Sequence, residues 1–147
     1  DSIEAQLDVN FRSPLRLCEQ GVSGLSDNGS ILFLSSTLAR RPMATSAVYT
    51  ATKAAIDAVV KVAAQTGAAR GIRVNSLALG VVDTPMARQE RPDGLDEKAR
   101  IEFLRGLHPL GRLGEAGEVA SAALSLLRQE WTTGAVMTMD GGLSCQP

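Results

Sequence analysis

The sequence predicts an α/β protein, a parallel sheet with helices on both faces. Two observations carry this. Three short apolar runs, at residues 30–36, 72–79 and 135–139, alternate with stretches whose apolar residues recur every three or four positions. Helix-length connections separate the runs, and such crossovers join parallel strands rather than hairpins.

The elements follow in order. Residues 3–25 place Ile3, Leu7, Phe11, Leu15, Cys18, Val22 and Leu25 on one helical stripe, with Pro14 expected to bend the helix or mark a local irregularity. Asp27-Asn28-Gly29 signals a turn, and Ser30 to Ser36 reads as a buried strand. A polar loop with Arg40, Arg41 and Pro42 leads into an Ala-rich helix over residues 46–69, closed by Arg70-Gly71. Ile72 to Leu79 is the second strand, ending at Gly80. Residues 83–112 form a charged segment punctuated by Pro and Gly, with a helix expected around Glu97–Leu107. Such an excursion within one compact domain reads as a lid over a site. Glu115 to Leu127 is a third amphipathic helix, Ala135 to Met139 a third strand, and Asp140-Gly141-Gly142 a closing turn.

Length and charge narrow the function. The 147 residues suffice for a single domain, residues 1–147, with one core. Fifteen basic and sixteen acidic residues give a net charge of -1, and aromatics make up 3%. That balance argues against nucleic acid, which demands basic patches and stacking surfaces. No apolar run is long enough to span a membrane, and no basic-plus-apolar leader is present, although the sequence opens Asp1-Ser2-Ile3 without Met. Cys18 and Cys145 lie far apart without metal-ligand spacing, so a reduced, cytoplasmic protein without a metal is expected.

Tyr49 and Lys53 are the most informative pair, and taken alone they have two readings: an acid/base couple, or the surface Tyr beside a solvated Lys that many helices carry by chance. Four residues apart, they share one helical face, close enough for the ammonium to act on the phenol. A free phenol titrates near ~10, and a nearby cation lowers that value toward the range of a usable acid or base. Ser36 ends the first strand, the place where open α/β sheets present chemistry. Gly111, Gly114 and Gly117 imitate a phosphate-binding loop, but His108-Pro109-Leu110 precedes them rather than a strand. His108 reads as structural or solvent-exposed, and Asp83 with the charges from Arg88 to Arg105 as a solvated face.

Taken together, these segments resemble the short-chain dehydrogenase/reductase family over nearly the whole chain. Asp8-Val9-Asn10 is similar to its catalytic Asn, Leu34-Ser35-Ser36 to its Ser, and Tyr49-x-x-x-Lys53 to its Tyr/Lys pair. Arg73-Val74-Asn75-Ser76, then Gly80-Val81-Val82-Asp83-Thr84-Pro85-Met86, resembles its strand and nicotinamide-side loop. Pro109 to Gly114, Glu118-Val119-Ala120 and Asp140-Gly141-Gly142 resemble its C-terminal signatures. Leu79 stands where the family usually has Pro. No Gly-rich fingerprint precedes Asn10, so the likeness covers the fifth to seventh strands of a Rossmann-like sheet, without the front that binds adenosine.

The resemblance implies a carbonyl/alcohol oxidoreductase using NAD or NADP, a choice that the sequence leaves open. Tyr49 would be the general acid/base, and Lys53 would tune it and bind the nicotinamide ribose. Ser36 would hold the substrate oxygen, and Asn10 would anchor a water that links Lys53 to solvent. Gly80, Val82 and Thr84 would meet the carboxamide, although Thr84 could equally cap a helix at Pro85. In the family, the helices over residues 3–25 and 46–69 pack against a second subunit, so a homo-oligomer is implied. Two other readings stand: an inactive truncated remnant acting as an assembly module, and a relative that catalyses epimerisation or elimination on the same scaffold.

Overall fold

In the computed structural model, the described residues are 3–44, 46–89 and 94–146. The first helical stripe is one continuous rod with a fault in it. Helix α1 (Ile3–Leu7) passes into a π-helical turn at Asp8–Arg12 and then into α2 (Ser13–Gly24). The irregularity expected from Pro14 therefore lies just before that residue, which itself sits near the start of α2 where its missing N–H is tolerated.

Strand β1 (Ser30–Ser36) follows, then a 3-10 turn at Thr37–Ala39 and helix α3 (Ala47–Gly67). A second 3-10 turn, Ala68–Arg70, ends at Gly71, whose φ of 66° is the left-handed value that a non-glycine residue adopts only under strain. Strand β2 (Arg73–Leu79), the short helix α4 (Pro85–Arg88), α5 (Glu97–Gly106), α6 (Ala116–Arg128) and strand β3 (Val136–Met139) complete the order. The single-turn α4 has too few residues to leave a periodic signal in the sequence.

The sheet is parallel throughout, in the order β1-β2-β3. Helices α2 and α3 cover one face. There Cys18, Phe33, Ile56, Val60, Ala63, Ala64, Ile72 and Val74 form a continuous core. Truncating a fully buried aliphatic side chain of this kind costs about 2–5 kcal/mol, which makes the α3–sheet contact the main source of rigidity. The reverse face is covered too. Asn75 and Leu77, one strand position out of phase with Val74 and Ser76, are also fully buried. Asn75 donates to the Thr132 carbonyl at 2.8 Å and accepts from the Ala135 N–H at 3.0 Å, fixing the path by which the chain enters β3. Helix α6 packs against β1.

The start of α6 is pinned by charge. Glu118 accepts two hydrogen bonds from Arg112, at 2.8 and 2.7 Å, and one from the Glu115 N–H at 2.8 Å. The Arg112 guanidinium, helped by that N–H, holds the Glu118 carboxyl down at about 2. A carboxyl lowered on folding stabilises the native state above its unfolded value and loses that contribution as pH falls through the folded one. The melting temperature should therefore decline between about pH 4.5 and about 2, and Glu118→Gln should make that decline shallower. An identical slope in the two proteins, followed by circular dichroism, would refute this account.

Candidate active site

The first two turns of α3 are lashed to the end of β1. Lys53 Nζ donates to the Leu34 carbonyl at 3.0 Å, and Ser35 Oγ donates to the Lys53 carbonyl at 3.3 Å. The Lys53 ammonium lies 5.5 Å from the centroid of the Tyr49 ring, within cation–π range. Ser36 is buried at the last position of β1, and its Oγ accepts the Leu38 N–H at 3.2 Å. A hydroxyl that accepts from the backbone keeps its own O–H to donate, here toward the Tyr49 phenol. Ser36, Tyr49 and Lys53, separated in sequence, thus form one cluster.

The electrostatics differ from the sequence expectation. Burial pushes the Tyr49 phenol above its ordinary value, and the Ser36 hydroxyl draws it back in part. The lowering expected from Lys53 is not what governs the phenol, because the ammonium is directed to the Leu34 carbonyl and is itself pushed below its ordinary value by burial. Both groups are moved toward their neutral forms.

Asn10 lies within the π-helical turn, which packs against α3. Here the backbone accounting is unusual. The Ser13 N–H reaches five residues back, to the Asp8 carbonyl. Pro14 has no N–H, so it cannot close the bond that the Asn10 carbonyl would accept in a regular helix. Asn10 therefore sits at a break in the hydrogen-bond ladder. Among the described residues, its side chain makes no bond to Ser36, Tyr49 or Lys53.

Gly80, Val82 and Thr84 fall at the same end of the sheet as Ser36. Parallel pairing sets Ser36 level with Leu79, and Thr37 Oγ1 donates to the Leu79 carbonyl at 3.2 Å. A Cβ on Gly80 would stand 2.8 Å from Asp140 Cα, so only glycine fits at that crossing. Val82 bridges Gly114: the Gly114 N–H donates to the Val81 carbonyl at 3.0 Å, and the Asp83 N–H to the Gly114 carbonyl at 2.8 Å. Thr84 stands at the N-terminus of α4 but makes no capping bond there; its hydroxyl donates to the Val82 carbonyl at 3.3 Å.

One residue departs from the sequence reading, and His108, read as structural or solvent-exposed, takes the first of its two alternatives. Arg100, within the supposed solvated face, is buried, and it donates to the Gln89 and Leu95 carbonyls at 2.9 and 2.8 Å. A guanidinium can be buried when backbone acceptors replace water, and this one ties Gln89, just after α4, to Leu95, just before α5. His108 is buried as well, against the chain leaving β2. Nothing in the local sequence marks it, since its partners are distant in the chain. The neighbouring charges do behave as a surface network: Arg88 grips Asp83 through two 2.8 Å bonds and reaches Glu97 at 2.8 Å, tying α4 to α5. Arg88 thereby holds the exposed Asp83 carboxyl below the usual range.

A family model described as enoyl-(acyl carrier protein) reductase matches residues 1–144. The chain belongs to the short-chain dehydrogenase/reductase family. Among its relatives, it is 36% identical to carbonyl reductase family member 4 of Danio rerio over 93% of this chain and 54% of that protein. It is 35% identical to an L-xylulose reductase of Caenorhabditis elegans over 97% of this chain and 57% of that protein. A crystal structure of a small-chain dehydrogenase in complex with NADPH superposes with a TM-score of 0.88 at 30% identity, covering 98% of this chain and 64% of the other. The chain spans about half the length of these curated relatives.

In this member of the short-chain dehydrogenase/reductase family, one hollow of about 120 Å³ is lined by Val81, Val82, Gly114 and Asp140 at the end of the sheet where Ser36 lies. Another, about 390 Å³, lies on the exposed face of α6 between Ser121, Leu124, Ser125, Arg128 and Gln129, with none of the cluster residues in its lining. The cluster makes its own prediction. Tyr49 is the sole tyrosine, so the rise of tyrosinate absorbance with pH reports on it alone. Its midpoint should lie above the ordinary ~10 and move higher still in Ser36→Ala, because Ser36 is the group that draws it down. A midpoint that falls on removing Ser36 would contradict this geometry.

Proposed function

We propose that this chain supplies the catalytic and substrate-binding part of an NAD(P)-dependent oxidoreductase that interconverts a carbonyl and an alcohol by hydride transfer. The observation that carries this reading is the convergence of Ser36, Tyr49 and Lys53 at the sheet end where Gly80, Val82 and Thr84 also lie. Two relatives named for carbonyl and xylulose reduction support the reaction class, and a neighbour solved with NADPH supports the cofactor.

The donor set suits a nicotinamide riboside. Lys53 donates to Leu34 through one N–H, and its other two have no acceptor among the described residues. The Val82 N–H is likewise without one, while the Val82 carbonyl and the Thr84 hydroxyl are within reach of each other. When bound, the nicotinamide supplies or accepts the hydride. In reduction, Tyr49 Oη donates a proton to the oxygen that gains negative charge, and in oxidation it takes the proton from the alcohol. With substrate bound, the Ser36 O–H turns from the phenol to that oxygen, orients it and stabilises its charge. Lys53 holds the ribose and, with a water anchored at the Asn10 break, returns protons from solvent.

The segment over residues 83–112, of which 90–93 lie outside the described residues, is the proposed substrate lid; within it Arg88 joins Asp83 to Glu97, and Arg100 holds the Gln89 and Leu95 carbonyls. Both cysteines are free, which suits a reducing cytoplasm, and no helix among the described residues is long and apolar enough to cross a membrane. A second copy is the proposed partner for the outer faces of α1–α2 and α3, where Val9, Leu17 and Val62 are exposed.

Tyr49→Phe in the full-length protein should lower turnover by about 10²–10⁴-fold, the worth of a lost general acid, while circular dichroism and melting stay unchanged. An unaltered rate of NAD(P)H oxidation with a carbonyl substrate would end this reading. For the assembly, the double substitution Leu17→Glu with Val62→Glu should reduce the mass found by light scattering. A mass equal to the parent's would place the contact elsewhere.

A further inference from the structure

His108 belongs to none of the groups assigned so far, yet both of its ring nitrogens are engaged. The residue is 3% exposed. Nδ1 lies 2.8 Å from the Leu104 carbonyl, and Nε2 accepts the Val81 N–H at 3.1 Å. A carbonyl can only accept, so the proton resides on Nδ1, and Nε2 presents its lone pair. The two bonds together specify the neutral ring in one tautomer.

Three elements close on that ring. Leu104 belongs to the last turns of α5, Val81 to the chain leaving β2, and Gly141 to the turn after β3. A Cβ on Gly80 would come within 3.0 Å of Nε2, and one on Gly141 within 3.4 Å of the ring, so His108 has little freedom to tip. The Asp140 carboxylate beside it is engaged elsewhere, on the Gly142 and Ser144 N–H groups at 3.0 and 2.7 Å.

The chain leaving β2 depends on this contact. Its Gly80 N–H is held by the Met139 carbonyl at 3.0 Å and its Asp83 N–H by Gly114, both backbone acceptors. The Val81 N–H is held by a side chain alone. In a bridge-paired segment, consecutive N–H groups point to opposite sides. The Val81 N–H on His108 and the Asp83 N–H on Gly114 together aim the Val82 N–H the other way, where no described group accepts it.

We propose that His108 is a positioning residue for the cofactor loop: in its Nδ1–H tautomer it orients Val82 and Thr84 toward the nicotinamide and couples that loop to the C-terminal end of α5. This rests on the cofactor reading above. The coupling gives lid and loop a shared anchor, so a shift of α5 changes the loop by way of one imidazole.

Two substitutions separate the two bonds. In His108→Gln, Oε1 takes the place of Nε2 and keeps an acceptor for Val81. In His108→Asn, Nδ2–H takes the place of Nδ1–H and keeps only the bond to Leu104. On the full-length protein, the dissociation constant for NADPH or NADH (whichever the parent binds), read by nicotinamide fluorescence, and the KM for that cofactor should rise about tenfold in Asn, the equivalent of one lost buried hydrogen bond. Both should stay within about threefold of the parent in Gln, where the bond is retained, with kcat changing less than KM in each variant. Amide exchange at Val81 should quicken in Asn alone.

Equal effects in the two variants, or an effect that follows melting temperature instead, would overturn the proposal by reducing His108 to core filling. Should Asn fail to fold, nitrogen-15 shifts of the parent imidazole still decide, because a proton found on Nε2 overturns it. A parent that binds neither NADPH nor NADH overturns the cofactor reading, and this proposal with it. That result is distinguishable because it appears before any change at His108.

Discussion

The register of β1 against β2 is the constraint on which the rest depends. It sets Ser36 beside Leu79, so the Ser-bearing end of one strand and the glycine turn of the next emerge together. A slip of one residue would turn every side chain of β1 to the opposite face and carry Phe33 out of the core. Two features hold the register: the apolar face packed on α3, and the Thr37 hydroxyl on the Leu79 carbonyl. Helix α3 is then placed by the strand it packs on, through Ser35 and Leu34, which present partners to Lys53. The site is thus a consequence of sheet pairing before it is a set of side chains.

Much of this was legible in the sequence because it is local. The stripes over residues 3–25, 46–69 and 115–127 became helices within a few residues of their expected ends, and the three apolar runs became a parallel sheet. Ser36, Tyr49 and Lys53 could be picked out because helical spacing and a strand end are both readable in one dimension. The π-helical turn was half legible: Pro14 announced a fault, but proline alone does not say which neighbour absorbs it. The structure puts the fault on the segment that contains Asn10.

What escaped the sequence is long-range. His108 joins chain positions 81 and 104 in one contact, and no window of neighbours encodes that. Arg100 looked like one more surface charge among many, and only the loop carbonyls around it reveal why it is buried. The sign of the Tyr49 shift escaped for a related reason. Spacing says that a cation is near, but not whether burial or attraction prevails, nor that a backbone carbonyl competes for the ammonium.

That sign bears on how the phenol could exchange a proton. A phenol held above its ordinary value is protonated at neutral pH and gives up its proton less readily than a free phenol. A buried lysine pushed below its ordinary value offers less charge to a phenolate than an exposed one would. The described cluster by itself therefore does not bring the phenol toward neutral pH for proton exchange in either direction. That would require a more polar environment, or the ammonium turned from Leu34 toward Tyr49, so the two bonds that hold Lys53 in place are also what sets the acidity of its neighbour.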